Sequence, residues 1–566
     1  MAMCAVLALG CSEDPGNSAG QDGWETEAEA PTTEPETDPE DQEDPEDPED
    51  PEGPEDPVTD PPDEDPKEAA FQTGVEVETT TGAVRGEEDG DLRVFKGIPF
   101  AESTAGENRL RAPQPVKPWD DVLDATEFGD VCPQIAPTVG DESEDCLNLN
   151  VWAHADERKD RPVMVWIYGG GFVLGETALP TYDGADLAED ADVVLITINY
   201  RLGVLGNMAL PELRDEDPLG AAGNMGLLDQ VEALRWIKAN ARAFGGDPDN
   251  VTVFGESAGA MSTCALIGTP LADDLFHKAI LQSGSCALYS SLDEEFLGRP
   301  GALDFGERVV DDLGCAGADD RLACLRGLPV GDFVNALNSE LQGGLIKSQI
   351  AIGPTIDGVV LPKTPYARIE AGEAPERPLI AGSNGAEGTL FTSSDVILSR
   401  QAFRDEVESI FGDAQLAQDV VDLYSRLQFP ASKDAYNAFV GELLFNCNSY
   451  HAAQLIGDQA YVYYLMVGPP QTMTPYGPLH GADIFYVFGN FLSSGVAPTL
   501  ASLELSSAVQ QAWGSFARTG VPSWEGGWPS VAGGAAEFLQ IDLFPSVEDE
   551  FRRGRCDALQ DLGVLP

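Results

Sequence analysis

An α/β fold with a large, mostly parallel central sheet flanked by helices on both faces is predicted by three features of the sequence. Short runs that are nearly all apolar and β-branched recur along the chain, helix-patterned stretches separate them, and neither an internal repeat nor a second linker interrupts residues 70–566. Pro162–Tyr168 (PVMVWIY) and Val193–Tyr200 (VVLITINY) are the clearest of the apolar runs. A strand with one wet face would alternate with polar residues, so such runs suit strands buried on both faces of a parallel sheet. Between Met225 and Gly246, Leu228, Val231, Leu234, Ile237, Ala241 and Phe244 recur at spacings of three and four, the period of a helix face, and Gly245-Gly246 ends the pattern. Val251–Phe254 is the next expected strand, with later ones at Arg377–Ser383 (RPLIAGS) and Tyr461–Val467 (YVYYLMV). Strands alternating with helices over this length predict one large α/β domain at 70–566.

Ahead of that domain the composition changes. Residues 12–69 carry almost nothing apolar and include Asp44-Pro45-Glu46-Asp47-Pro48-Glu49-Asp50-Pro51-Glu52, with proline at every third position. Proline withholds an amide hydrogen and neighbouring carboxylates repel, so an extended, disordered spacer is expected. As polyproline II it would reach at most on the order of 180 Å. Residues 1–11 are expected to be an export signal: the short apolar stretch Ala2–Gly10 ends at Cys11 and is too short to span a bilayer. Leu7-Ala8-Leu9-Gly10-Cys11 resembles a bacterial lipobox, in which the cysteine becomes lipidated. It departs from that pattern in having no preceding Lys or Arg and in the order of Ala8 and Leu9. A lipid anchor at Cys11 and plain secretion are both open at this point.

Charge excludes one class of partner. The net charge is −66, and residues 1–70 hold 25 acidic side chains against the single Lys67. The rest of the chain is acidic too, so both parts repel phosphate, and nucleic-acid binding is excluded. A hydrophobic share of 42% is ample for a core.

The chemistry begins at Gly255-Glu256-Ser257-Ala258-Gly259, a G-x-S-x-G pattern. In a chain with 60 glycines the pattern alone is weak, and its context is what gives it force. It follows the strand-like Val251–Phe254 and precedes a helix-compatible run, Ala258–Ile267. A strand-to-helix elbow needs small residues beside the serine, whose hydroxyl then stands clear at the end of the sheet. A serine hydroxyl is a poor nucleophile and needs a base and an acid that orients the base. Where serine sits on such an elbow, the chain order is Ser, acid, His. The four histidines are His154, His277, His451 and His480. Order removes His154. His277 leaves too little chain for a strand bearing the acid. His451 lies in the helix-like LLFNCNSYHAAQL, whereas His480 lies in the loop Pro475–Gly481 beyond an expected strand. Glu387 lies in a similar loop, Ser383–Gly388, after another. Trp166–Phe172 places Gly169, Gly170 and Gly171 directly after a strand, where backbone amides could approach a substrate oxygen with no Cβ in the way. A phosphate loop would need a following Lys-Ser/Thr, which is missing.

These segments resemble the type-B carboxylesterases, a family that includes the cholinesterases. The resemblance runs over nearly all of 70–566 and includes Phe95–Ala101, Ser143–Val151, Trp166–Phe172, Asn199–Gly203, Asp247–Gly259, Ala279–Gly284 and Leu479–Asp483. It implies the α/β-hydrolase fold, with Ser257 as nucleophile, His480 as general base and acid, and Glu387 as orienting acid. It implies oxyanion-hole amides at Gly170, Gly171 and Ala258, with Glu256 and Ser283 just behind the triad. Eight cysteines follow the N-terminal region, with no C-x-x-C pair to suggest zinc. An even count in an exported chain suggests disulfides. The resemblance implies Cys132–Cys146, Cys315–Cys324 and Cys447–Cys556, leaving Cys264–Cys286 as a fourth pair.

The expected reaction is hydrolysis of a small-molecule carboxylic ester through an acyl-enzyme, with no metal or organic cofactor. The alternative is a catalytically silent adhesion or binding protein, since some members of the family keep the fold and lose the nucleophile. Here Ser257 stands. The segment between Cys132 and Cys146 holds no tryptophan, unlike the longer loop where cholinesterases carry their choline-binding one. Cation–π recognition of choline is therefore not expected, and neutral or broad esters are.

Overall fold

Seven parallel strands run through the middle of an eleven-stranded sheet. The computed structural model describes residues 68–294, 301–340, 352–392, 397–470, 477–531, 537–549 and 552–565. The apolar N-terminal stretch, Cys11 and the acidic spacer up to residue 67 lie outside the described residues, as does 471–476 in the stretch leading to His480. Numbered along the chain, the strands of the large sheet are β1 (Glu87–Asp89), β2 (Leu92–Pro99), β3 (Asn148–His154), β4 (Arg161–Ile167), β5 (Val194–Ile198) and β6 (Gly246–Glu256). Then follow β7 (Lys278–Gln282), β8 (Leu379–Asn384), β9 (Ala460–Leu465), β10 (Phe538–Ile541) and β11 (Ser546–Glu548).

In space the order is β11-β10-β9-β8-β7-β6-β4-β5-β3-β2-β1. Every neighbouring pair from β10 to β5 is parallel. Both ends finish in antiparallel strands. The expected mostly parallel sheet is therefore present, with an antiparallel rim that the apolar-run reading did not resolve. Every residue of β4, β5, β7, β8 and β9 is buried, which is why those runs carry no polar alternation. Strand β8 starts at Leu379 rather than Arg377, since Pro378 has no amide hydrogen to give a ladder.

Helices cover both faces, as neighbouring residues of β6 record. Successive side chains of a strand point to opposite faces. The Phe254 ring packs against Phe488 of the helix Ile484–Phe488, with centroids 6.2 Å apart. On the other side, a Cβ on Gly255 would lie 2.5 Å from the Gly259 carbonyl of helix α2 (Ala258–Gly268). The helix expected from Met225 is α1 (Met225–Asn240); a 3₁₀ turn, Ala241–Phe244, carries it to Gly245, which closes it at φ 89°. Gln230 of α1 donates to Ser262 of α2 at 2.9 Å, tying the two helices together.

A second, smaller apolar cluster gathers α3 (Arg400–Phe411), α4 (Ala414–Leu423), α5 (Ser432–Gly441), α6 (Cys447–Ile456) and α8 (Arg553–Asp561), the last helix of the chain. A single turn of π-helix, Glu442–Asn446, joins α5 to α6. The long helix α7 (Leu500–Thr519) packs on the large sheet and is closed by a capping box at Thr499 and Ser502. Among the described residues no helix is long and apolar enough to cross a membrane. All four expected disulfides are formed: Cys132–Cys146, Cys264–Cys286, Cys315–Cys324 and Cys447–Cys556.

Candidate active site

Ser257 sits at the turn between β6 and α2 with φ 57° and ψ −121°, a conformation that a residue with a Cβ rarely adopts. The glycines around it are required by contact. A Cβ on Gly259 would stand 1.9 Å from the Ile167 carbonyl oxygen, and one on Gly255 would stand 2.6 Å from the same atom. Helix α2 thus starts hard against the end of β4, which is possible only with bare backbone. The Ser257 amide donates to the Gln282 carbonyl at 2.9 Å, fixing the turn to β7.

The glycines after β4 lie against this turn. A Cβ on Gly169 would be 2.9 Å from the Ser257 Cβ. Gly170 and Gly171 follow with φ of 117° and 62°, and the Gly170 carbonyl accepts from Val173 and Leu174 at 3.1 and 3.2 Å. The amides of Gly170, Gly171 and Ala258 have no protein acceptor among the described residues. Ala258 is the first residue of α2, so its N–H is one of those that helix geometry leaves unpaired.

Glu387 and His480 meet from two loops beyond β8 and β9. Glu387 Oε2 lies 2.6 Å from His480 Nδ1, and the glutamate is wholly buried. Its other oxygen accepts from Ser283 Oγ at 2.5 Å and from the Asn384 amide at 2.5 Å. The imidazole is flanked by Phe391, edge-on at 4.9 Å, and by Phe445 at 4.4 Å. His480 Nε2 faces Glu256 Oε1 at 3.1 Å. Neither atom makes a hydrogen bond among the described residues, so the link from Nε2 to Ser257 Oγ is not formed in this geometry.

Burial and charge shift the titrations here. Burial pushes the Glu256 carboxyl up to about 8, against the opposing pull of His480. Burial also works to lower His480, but the Glu256 and Glu387 carboxylates outweigh it and raise the imidazole to about 9. Glu256 and His480 titrate as a coupled pair. Asp483 is fully buried and raised for the same first reason, desolvation. It accepts from Tyr463 at 2.6 Å and from Gln282 and Asn384 at 3.2 Å.

The structure brings Glu387, His480, Glu256 and Ser283 into contact and sets Ser257 and the glycine loop against Glu256. The other histidines stand elsewhere. His154 meets the Ala188 carbonyl at 3.0 Å, His277 accepts from the Val251 amide at 3.1 Å, and His451 lies on α6 with its ring 4.8 Å from Tyr366. Among the described residues no group of His, Cys, Asp or Glu could hold a metal. Sequence reasoning missed Asn384, Asp483, Phe391 and Phe445. Asn384 and Asp483 had a signal, since they lie in the segments Ser383–Gly388 and Leu479–Asp483 that carry Glu387 and His480. Phe445 lies on the π-helical turn, which a helix-like pattern cannot reveal.

The model of the carboxylesterase family matches residues 73–559. A para-nitrobenzyl esterase of Bacillus subtilis is 35% identical over 494 residues, spanning 84% of this chain and 96% of that protein. An acetylcholinesterase of Bungarus fasciatus is 34% identical over 523 residues, covering 83% of each chain. Among solved structures, a PNB esterase matches with TM-score 0.75 and 34% identity, covering 86% of this chain and 99% of that one. A carboxylesterase of Geobacillus stearothermophilus matches with TM-score 0.76 and 33% identity over the same shares.

Proposed function

The chain belongs to the carboxylesterase family and is a carboxylic ester hydrolase of the α/β-hydrolase fold, and on that premise we propose that Ser257, His480 and Glu387 are its catalytic triad. The observation that carries this reading is the 2.6 Å contact between Glu387 and His480 Nδ1, which leaves Nε2 as the proton-accepting nitrogen. For the reaction the imidazole comes within reach of Ser257 Oγ, one residue from the Glu256 that it now faces. Catalytic hydrogen bonds are often long or open before substrate binds.

Ser257 Oγ attacks the ester carbonyl while His480 Nε2 takes the hydroxyl proton. The tetrahedral oxyanion is held by the amides of Gly170, Gly171 and Ala258. His480 then returns the proton to the leaving alcohol, and an acyl group remains on Ser257. Water repeats the sequence in reverse and releases the acid. Glu387 holds the imidazole in one tautomer and stabilises its cationic form, while Ser283 and the Asn384 amide hold Glu387.

Small-molecule esters are the substrates. With no tryptophan between Cys132 and Cys146, we take neutral rather than choline esters to be preferred. The silent-adhesion alternative gains nothing from relatives that bear esterase names. The four disulfides belong to the chemistry of an oxidising compartment, which supports export.

The test is turnover of short-chain p-nitrophenyl esters by residues 70–566, beside Ser257→Ala, before and after fluorophosphonate treatment. Loss of kcat by a factor on the order of 10⁴–10⁶ in the variant, and full inactivation of the parent, are expected. Unchanged turnover in Ser257→Ala would sink the assignment.

A further inference from the structure

We propose that Arg552, at the start of the last helix of the chain, is a positioning residue for the catalytic acid; this rests on the reading of Glu387 as that acid. Four successive residues before Glu387 are anchored through polar groups, and much of the anchoring comes from outside the sheet. Asn446 Nδ2 donates to Ser383 Oγ at 2.7 Å and to the Asn384 carbonyl at 3.1 Å. The Gly385 amide donates to the Leu465 carbonyl, and the Ala386 amide to the Pro478 carbonyl, both at 2.9 Å. The Gly385 carbonyl accepts from Arg552 Nη2. The other arm of the same guanidinium donates to Asn446 Oδ1 at 2.6 Å.

Arg552 therefore grips the acid's loop twice, once directly and once through Asn446. Asn446 is fully buried and ends the π-helical turn. At the head of that turn, Glu442 is also fully buried and pairs with Arg555 at 2.5 Å and with Arg552 at 3.5 Å. Tyr424 donates to it at 2.7 Å. Gly441, just ahead of the turn, passes so close that a Cβ there would lie 3.1 Å from the Glu387 Cβ. The turn also carries Phe445, which packs on the His480 ring. One cation thus ties the acid's loop to the element that backs the base. Arg552 holds φ 58°, a left-handed conformation uncommon for a side chain of its size, and that aims the guanidinium between the two.

The two arginines separate positioning from plain stability. Arg555 neutralises Glu442 and, among the described residues, makes no hydrogen bond to the acid's loop. Arg552→Met, Arg552→Lys, Arg555→Met and Glu387→Gln would be compared for kcat, KM, the pH profile of kcat/KM and thermal midpoint. Arg552→Met is expected to lose about 10–100-fold in kcat with little change in KM, the scale of a small misplacement of a catalytic group. Its kcat/KM profile should move to lower pH, because a looser Glu387 raises the His480 pKa less. Arg552→Lys keeps a charge near Glu442 but not the planar fork, so it should regain thermal stability and little of the kcat. Arg555→Met should lower the thermal midpoint and leave kcat within about twofold. Glu387→Gln should lose roughly 10³–10⁴ in kcat.

The proposal is overturned if folded Arg552→Met, or Arg552→Lys should the first not fold, keeps parental kcat and pH profile while Glu387→Gln is crippled. If Glu387→Gln itself keeps full activity, the triad reading fails first and this one falls with it.

Discussion

The serine side and the acid–base side of the site are built by different means. Around Ser257 the position is set by short-range geometry: five consecutive residues, two of them glycines that touch the end of β4, force the elbow. Around Glu387 it is set by long-range contacts, from Ser283 on β7's exit, from Asn446 on the π-helical turn and from Arg552 near the end of the chain. A nucleophile must project at one angle, and sterics alone can define that angle. An acid must be held wholly buried and hydrogen-bonded, which takes several donors that no single segment can supply.

The contrast breaks most visibly at Gly259. A methyl there would sit 1.9 Å from the Ile167 carbonyl oxygen, which is backbone of a central strand and cannot move aside alone. Gly259→Ala is expected to cost more than about 3 kcal/mol, enough to remove soluble folded protein. Soluble yield and a far-ultraviolet circular dichroism melt measure it. A variant that melts near the parent temperature would mean that the elbow can relax, and that sterics do not fix the serine.

This difference also explains what could be read in the sequence. The elbow was legible because its logic is local: the apolar Val251–Phe254, two glycines and a helix-compatible run announce it within about fifteen residues. The parallel strands were legible for the same reason, since burial on both faces leaves unbroken apolar runs. His480 and Glu387 were reached by elimination and order, and their loops were placed by the strands before them. Of what holds those two residues, Ser283 came with the family resemblance, Asn384 lay in the acid's own loop, and the rest left no trace. Asn446 and Arg552 read as an ordinary helix-like asparagine and one of three arginines in Phe551–Arg555 (FRRGR). Only the return of the last helix to the acid's loop gives them meaning. The antiparallel rim was missed for two reasons: a buried run such as β3 carries no mark of its pairing direction, and β1 is three exposed residues with no hydrophobic pattern.

The Cys447–Cys556 bridge sharpens the comparison at intermediate size. It closes a loop of 109 residues and fastens α6 to α8, the helix that follows Arg552. Cys132–Cys146 closes only 14 residues ahead of β3, which lies five places along the sheet from β8. Loop-closure entropy ranks their removal at roughly 4–5 against 3 kcal/mol. Alanine at both 447 and 556 should therefore lower the denaturation midpoint more than alanine at 132 and 146. It should also lower kcat of the folded fraction, because Arg552 loses its frame. Equal losses of stability with unchanged kcat in both double variants would leave the last helix no part in the site.

The smallest expected effect lies where the two sides meet, at Glu256. This residue belongs to the elbow by sequence, yet its carboxylate faces His480 Nε2 at 3.1 Å. Its charge helps to raise the imidazole to about 9, although burial holds its own carboxyl near 8. General-base catalysis needs neutral imidazole, so kcat/KM should rise with pH as the pair releases its shared proton. Glu256→Gln removes the negative charge and keeps the shape. The cationic imidazole is then less stabilised, its pKa falls, and the rise in kcat/KM should move to lower pH by on the order of one unit, about 1.4 kcal/mol. A pH–rate profile on a p-nitrophenyl ester measures it. A midpoint that stays in place would mean that the elbow supplies the serine and nothing of the electrostatics, and a midpoint moving upward would reverse the sign assigned to Glu256.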